Sequence, residues 1–252
     1  MRPTLSSTES ANCLKREILT SSSRVGSGPE AALAVEWLGR VGYLEGLRLQ
    51  EEALAARREG HGRDRLLLLE HFPVVTLGRS SRAENLLVSR EELVRRQVEL
   101  HEVARGGDVT FHAPGQLVGY FIVDLDARGE RDVHRFLRKV ESGLICALEQ
   151  LDLKAERIEG KTGVFMNRDP GESGPDRKIA SIGIGVRHWI TYHGFALNVS
   201  MDLDGFEVIV PCGLENVEMT SVVREWDHQG ADVDGRVREI VSRAMLSEFA
   251  IG

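Results

Sequence analysis

The sequence has few cysteines, no excess of basic residues and no long apolar run. Its three cysteines, Cys13, Cys146 and Cys212, are widely spaced, so we expect neither a zinc site nor a disulfide framework. The formal net charge of −7 argues against a dedicated nucleic-acid-binding protein. No apolar stretch approaches the roughly 20 residues of a membrane helix. These absences favour a protein of a reducing cytoplasm, with no membrane, nucleic-acid or metal partner.

The composition is that of a globular domain with a polar N-terminal stretch. Apolar residues make up 42% of the 252 residues and charged residues 28%. Residues 1–30 are rich in serine, glycine and threonine without an apolar period, which predicts a disordered tail. A targeting segment or an overlong start are the alternatives that the sequence leaves open. Residues 31–252 are expected to form one globular domain.

Apolar periodicity predicts helices and strands in a mixed order. Helical spacing occurs over 43–58, 91–97, 133–151 and 234–249. Strand-like runs occur over 65–70, 74–78, 99–103, 118–125, 178–186 and 193–199, and residues 167–177 read as a polar loop. Because strands and helices do not alternate strictly, we predict an α/β domain of the α+β type, with helices flanking a mixed sheet.

Two residues are candidates for a reactive pair. Cys212 lies between Pro211 and Gly213, outside any periodic element, which is typical of a side chain held on a turn. A free cysteine is more often a small buried apolar residue than a nucleophile. Lys178 opens an apolar strand, where a lysine is usually solvated, yet a nearby ammonium lowers the pKa of a thiol. A Cys-His pair stays open as well, since the chain also contains His71, His101, His134, His188 and His193.

A second informative stretch runs from Arg105 to Tyr120. Gly106 and Gly107 allow the backbone to pass close to a ligand, Arg105 offers planar donors, and His112 offers a hydrogen-bonding ring. The alternative is a glycine turn between two strands. The spacing matches neither a phosphate loop nor a dinucleotide-binding motif.

Together these segments resemble the lipoyl(octanoyl) transferases, which move an octanoyl group from acyl carrier protein to lipoyl domains. The resemblance extends in order from about residue 37 to residue 223. The matching stretches are 37–41, 69–79, 105–120, 161–164, 177–183, 193–199, 211–214 and 219–222. Two departures stand out: Ala113 replaces a common glycine, and the loop 167–177 is somewhat long.

The resemblance implies a fold, a reaction and a set of site residues. The fold would be the catalytic domain shared by lipoate and biotin protein ligases. Cys212 would carry the acyl thioester and Lys178 would lower its pKa, without any cofactor or metal. The donor would be octanoyl-acyl carrier protein; the acceptors would be the lipoyl domains of 2-oxoacid dehydrogenase complexes and the glycine cleavage protein. The residues that would bind the substrate are Arg105, Gly106, Gly107, Asp108, Val109, Thr110, Phe111, His112, Ser181, Ile182, Gly183, Gly194, Phe195 and Ala196.

Both protein substrates would be acidic, so we expect a local basic rim around the site. The candidates are Arg79, Arg82 and Arg187. Three other functions are weighed against the transferase. They are an ATP-dependent lipoate or biotin ligase on the same scaffold, a Cys-His hydrolase, and a non-catalytic acyl-binding module.

Overall fold

A computed structural model describes residues 33–168, 171, 173–214, 216–226 and 232–250, apart from the side chain of Cys212. The predicted tail, residues 1–30, lies outside the described residues. Among those described, no helix is both long and apolar enough to cross a bilayer.

A mixed sheet forms the centre of the described domain. Its main path has the order β1-β2-β6-β10-β9-β8-β7, and β11 pairs with β9 beside that path. β1 runs parallel to β2, whereas β6, β9 and β10 are joined antiparallel. The strands are β1 Ala34–Val41, β2 Arg65–His71, β6 Gln116–Ile122, β7 Ala155–Ile158, β8 Lys161–Met166, β9 Asp176–Arg187, β10 Ile190–Asn198 and β11 Val217–Met219.

A smaller sheet of three strands lies apart from the main path, in the order β4-β3-β5. Its strands are β3 Val74–Leu77, β4 Glu99–Glu102 and β5 Val109–His112. It has a core of its own, in which Phe111 packs edge-on against Phe206 at a centroid distance of 5.7 Å. This second core holds β5 and the chain around residues 201–209 together.

Five α-helices are present in the described ranges. They are α1 Tyr43–Arg58, α2 Arg90–Arg95, α3 Val133–Glu149, α4 Val222–Glu225 and α5 Val233–Glu248. Asp132 caps α3 by accepting the Arg135 N–H at 2.9 Å. The apolar stripe of α3 then packs with α5 over the main sheet, where Phe121, Phe136 and Phe249 form one ring cluster. The large core therefore covers one face of the sheet.

The predicted mixed-sheet α/β class is confirmed, with local differences in the bounds and number of its elements. β10 begins at Ile190, three residues before its predicted start, because His188 and Trp189 both take positive φ and close a two-residue hairpin after Arg187. The loop predicted over 167–177 is two residues too long, because Asp176 and Arg177 already pair with β11. Strands β1, β5, β7, β8 and β11 were not among the predicted runs.

No disulfide framework was expected from the three widely spaced cysteines, whereas Cys146 on α3 is disulfide-bonded. A spacing argument alone does not anticipate a single bridge.

Candidate active site

A cavity of about 230 Å³ opens between the small sheet, α1 and strands β6, β9 and β10. Its buried lining, here called the inner end, consists of Tyr43, His112, Tyr120 and His193 with neighbouring apolar residues. Its more accessible lining, here called the mouth, consists of Gly107, Asp108, Gly160, Thr162 and Leu214. The remaining lining residues are Arg105, Thr110, Val118, Lys178, Ser181, Ile182, Gly183, Gly194, Phe195 and Ala196.

Most of the residues proposed from sequence lie around this cavity, and three do not line it. Val109 and Phe111 alternate with Thr110 and His112 along β5, so their side chains enter the small-sheet core instead. Gly106 contributes backbone, donating its N–H to Ile184 O at 3.0 Å and thereby fixing the 105–108 loop against β9. The stretch from 105 to 112 thus supplies the cavity with alternate side chains and one anchored loop.

Arg105 is a buried residue that ties the loop to the small sheet. Its Nη2 donates to Thr76 O at 2.8 Å and to Thr76 Oγ1 at 2.9 Å, while Nη1 donates to Gly106 O at 3.0 Å. Gly183 packs so tightly on this loop that an added Cβ would lie 2.9 Å from Gly106 O. The guanidinium therefore serves as a rigid wall of the cavity.

Lys178 is buried, with only 1% of its surface exposed, although lysines are rarely buried without a compensating group. It lies on β9 between Phe165 of β8 and Met219 of β11. Its Nζ is 5.5 Å from the centroid of the Phe165 ring, within cation–π range. The strand register places this side chain on the cavity lining beside β8, the strand that carries the mouth residue Thr162.

Gly163 makes room for the Lys178 side chain. An added Cβ there would lie 2.7 Å from Lys178 Cε and 2.6 Å from Ala180 O, and its φ of +129° is a conformation that other residues rarely adopt. The Gly163 N–H donates to Glu141 Oε1 of α3 at 3.2 Å. Glu141 is itself buried and is paired with Arg138 and Arg157. A helix carboxylate therefore holds the backbone against which the lysine lies.

The backbone around Cys212 is a short 3₁₀ helix, Pro211–Gly213, next to the mouth. Gly213 has a φ of +60°, and an added Cβ would lie 2.4 Å from Asp108 Oδ2. Asn85 donates from Nδ2 to the same oxygen at 2.6 Å, and its carbonyl accepts the Val210 N–H at 2.8 Å. Leu214, two residues after Cys212, lines the cavity. The turn is thus held from both sides beside the mouth.

At the inner end, His71 and Tyr120 form a buried pair. Val41 O can only accept, so His71 Nδ1–H donates to it at 3.0 Å, and Nε2 accepts the Tyr120 hydroxyl at 2.6 Å. Burial lowers the pKa of His71 to about 4, so the ring is neutral, as this tautomer requires. The Tyr43 ring packs edge-on against His71 at 5.1 Å.

A second chain of hydrogen bonds fixes His112. Gln116 Nε2 donates to Asn198 Oδ1 at 2.9 Å and to Phe111 O at 3.3 Å, so its Oε1 accepts from His112 Nδ1–H at 2.7 Å. Asn198 Nδ2 in turn donates to Thr220 O at 2.8 Å, and the Thr220 N–H donates to Lys178 O at 2.9 Å. The inner end is therefore connected to the lysine strand through side-chain amides.

Burial keeps the inner end uncharged. It lowers the pKa of both His112 and His193 to about 3, and nearby Arg105 acts in the same direction on each. Burial also raises the pKa of Tyr43 to about 12. Histidines with such low pKa values are poor proton acceptors near pH 7. They are suited to lining a pocket rather than to activating a thiol.

Sequence reasoning missed Tyr43, Tyr120, Thr162 and Leu214 among the lining residues, and His71 behind them. Tyr43 is the first residue of α1, and Tyr120 lies in a strand that reads as fully apolar. Tyr120, Thr162, Leu214 and His71 lie inside recognised stretches, which was the available signal for them, whereas Tyr43 lies outside every such stretch.

A family model for the lipoyl protein ligase A/B catalytic domain matches residues 42–245, which include every element that lines the cavity. The chain belongs to this family.

Within the family, curated octanoyltransferases are close relatives. One from Acidobacterium capsulatum is 48% identical over 194 residues, covering 75% of this chain and 78% of the relative. One from Caldicellulosiruptor bescii is 47% identical over 190 residues, covering 75% and 79%. The chain is therefore an enzyme, an acyltransferase of the lipoyl(octanoyl) transferase kind.

Solved structures share the fold at low sequence identity. A T. acidophilum candidate lipoate protein ligase with bound lipoic acid superposes with a TM-score of 0.66 at 19% identity, covering 87% of this chain and 86% of the other. Lipoate-protein ligase A bound with ATP gives 0.64 at 19% identity, covering 87% and 83%. This confirms the predicted ligase-like fold.

Proposed function

We propose that this enzyme transfers an octanoyl group from octanoyl-acyl carrier protein to the lysine of lipoyl domains through a thioester on Cys212. The observation that carries the proposal is that one cavity is lined by both the buried Lys178 and Leu214, which directly follows the Cys212 turn. The octanoyltransferase relatives support the acyl group and the reaction class.

The first half-reaction is thioester exchange. The Cys212 thiolate attacks the carbonyl carbon of the donor thioester, the new C–S bond forms, and the bond to the pantetheine sulfur breaks. The departing thiolate takes a proton from the Lys178 ammonium. Because one thioester replaces another, the enzyme has mainly to supply a thiolate and to position the acyl group. A buried ammonium supports this role, since it favours a neighbouring anion.

The second half-reaction forms the amide. The neutral amine of the acceptor lysine attacks the Cys212 thioester, the cysteine leaves as a thiolate, and the amine proton passes to Lys178. This restores the starting ammonium and thiolate, so protons and electron pairs balance over the cycle. The reaction needs neither a cofactor nor a metal.

The neutral inner end suits an acyl chain. Phe195, Ala196 and Val118 supply apolar surface, and the histidines there carry no charge. Each buried methylene contributes about 0.8 kcal/mol, so a chain two methylenes shorter than octanoyl should react a little over tenfold more slowly.

Two of the arginines expected in a basic rim, Arg79 and Arg187, both contact Tyr192. Arg79 Nη2 donates to Tyr192 Oη at 3.4 Å, and the Arg187 guanidinium lies 5.4 Å from the centroid of that ring. Arg82, which follows Arg79 closely in sequence, is exposed. Arg187 also forms a salt bridge with Glu51 at 3.1 Å. We propose that these arginines attract the acidic donor in the cytoplasm. Acylation that does not slow as salt is raised would contradict this rim.

The test is an intact-mass measurement after incubation with octanoyl-acyl carrier protein. Wild-type enzyme should gain one octanoyl group that a lipoyl domain then removes, and Cys212→Ser should gain no thioester. If wild type gains nothing, or Cys212→Ser still gains a thioester, the mechanism is wrong.

The other arms of that experiment address the competing functions. Octanoylation from free octanoate and ATP that survives Cys212→Ala would indicate a ligase. Release of free octanoate without an acceptor would indicate a hydrolase, which the low histidine pKa values disfavour. Reversible binding without mass gain would indicate an acyl-binding module.

A further inference from the structure

His193 has a left-handed backbone conformation inside a strand. Its φ is +57°, in the middle of β10, where non-glycine residues are normally extended. The other described non-glycine residues with positive φ lie in turns or at helix ends: Gln97, Asp152, His188, Trp189, Asn216 and Asp232. Such strain persists only where the surroundings hold it, and it is concentrated at functional sites.

The hydrogen bonds of the sheet are rearranged around this residue. Thr191 N–H donates to Val123 O at 2.9 Å, so in a regular antiparallel ladder His193 N–H, two residues on, would donate to Phe121 O. Instead, the Thr191 hydroxyl donates to Phe121 O at 2.7 Å. The regular pairing of β10 with β6 resumes only at Gly194.

Gln50 of α1 accepts the displaced N–H. Its Oε1 lies 2.7 Å from His193 N, and Gln50 is almost fully buried. Its Nε2 is buried and has no hydrogen-bond partner among the described residues. A leucine of similar size would avoid that unsatisfied donor. The presence of a side-chain amide at position 50 is therefore explained by its hydrogen bond to His193 rather than by its packing.

The conformation matters because it directs the His193 ring into the inner end. The ring lies edge-on to Tyr120 at 5.8 Å and lines the cavity. We propose that Gln50 is a positioning residue that holds the His193 ring as the end wall of the acyl pocket and so limits the length of the acyl chain. This inference rests on the proposed function, since it takes the cavity as the acyl site.

The experiment compares acylation by octanoyl- and decanoyl-acyl carrier protein in wild type and in Gln50→Leu. The variant removes the acceptor at nearly constant volume, so His193 can return to the ladder and the end wall retreats. We expect the preference for octanoyl over decanoyl to fall roughly tenfold, the effect of two methylenes. Gln50→Glu retains an acceptor oxygen and should keep the wild-type preference.

Two further variants separate this role from general loosening of the fold. Thr191→Val leaves Phe121 O free to accept His193 N–H again and should shift the preference in the same direction as Gln50→Leu. Val241→Ala, in the large core away from the cavity, should lower stability without shifting the preference. An equal shift in Val241→Ala would overturn the proposal.

A double-mutant cycle completes the test. His193→Gly removes the ring while tolerating a positive φ, so adding Gln50→Leu to it should change the preference no further. An additive effect, or an unchanged preference in Gln50→Leu alone, would overturn the inference. If wild type takes up no acyl group, the proposed function fails; a structure of Gln50→Leu then still tests the positioning role by itself, since the φ of His193 should change from +57° to an extended value, and a retained positive φ would overturn the inference.

Discussion

The inner end and the mouth of the cavity are built on different principles. At the inner end the rings of His71 and His112 are hydrogen-bonded to Val41 O and Gln116, the His193 backbone N–H donates to Gln50, and the histidines are neutral. The mouth residues Thr162 and Leu214 adjoin Gly163 and Gly213, where the backbone closely approaches Lys178 and Asp108. From this difference we propose a division of function, in which the inner end selects the acyl chain and the mouth performs the transfer.

Replacing Lys178 by methionine tests the mouth most severely. The volume is kept but the ammonium is lost, so acyl-enzyme formation should fall about 10²- to 10⁴-fold, the usual contribution of a positioned proton donor. Intact mass against time measures the rate. Lys154→Met, an exposed lysine outside the cavity, is the control and should react like wild type. If Lys178→Met altered the chain-length preference instead of the rate, the proposed division would be broken.

Gly163→Ala tests whether this glycine determines the position of the Lys178 side chain. The added Cβ would meet Ala180 O and Lys178 Cε at 2.6 and 2.7 Å, and alanine is strained at this φ. Strain and overpacking together should lower the free energy of unfolding by about 2–4 kcal/mol and slow acylation.

The matched control is Gly160→Ala, which also has a positive φ but has nothing within 4 Å of an added Cβ. Gly160→Ala should therefore show the effect of backbone strain without that of a close contact, both on the free energy of unfolding in urea and on the acylation rate. Equal effects of the two variants would show that close contact with Lys178 is unimportant.

The segments around Lys178 and the Cys212 turn could be recognised from sequence, although Thr162 and Leu214 of the mouth were missed, whereas most rings of the inner end could not. The resemblance depends on proline, glycine, cysteine and lysine residues in the segments 161–164, 177–183 and 211–214. Each of these residues meets a local structural requirement, such as a tight turn or a close approach of two backbone segments. Such requirements can be recognised within a few residues of sequence. The mixed sheet followed similarly from the order of apolar runs.

The inner end could not be predicted because its determinants are long-range. Gln50 and His193 are 143 positions apart, and Gln50 looks like any polar residue in an amphipathic helix. Val109 and Phe111 were included with the site because a contiguous motif does not reveal which side chains of a strand face a cavity. The tertiary structure determines both the contact of Gln50 with His193 and the direction in which the β5 side chains point.

Tyr120→Phe examines the inner end with a smaller expected effect. Removing the hydroxyl leaves His71 Nε2 buried without its donor, which should lower the free energy of unfolding by about 1–3 kcal/mol. Tyr43→Phe is the control, since the Tyr43 hydroxyl makes no hydrogen bond among the described residues. Urea unfolding measures both, and an equal loss in the two variants would contradict the importance of the His71–Tyr120 bond.

The neutral histidines should also make stability depend on pH. The pKa of His71 is about 4 in the folded protein, below its ordinary value of 6.5, so between these values the unfolded chain binds more protons. The free energy of unfolding should therefore be retained above pH 6.5 and fall as the pH drops, by up to about 1.4 kcal/mol per pH unit for this site.

His71→Gln can still donate to Val41 O and accept from Tyr120, but it does not titrate. Urea unfolding at pH 7, 6 and 5 should show a correspondingly flatter dependence in this variant. An unchanged slope would mean that the ring is not held neutral, and the contrast between the inner end and the mouth would lose its electrostatic basis.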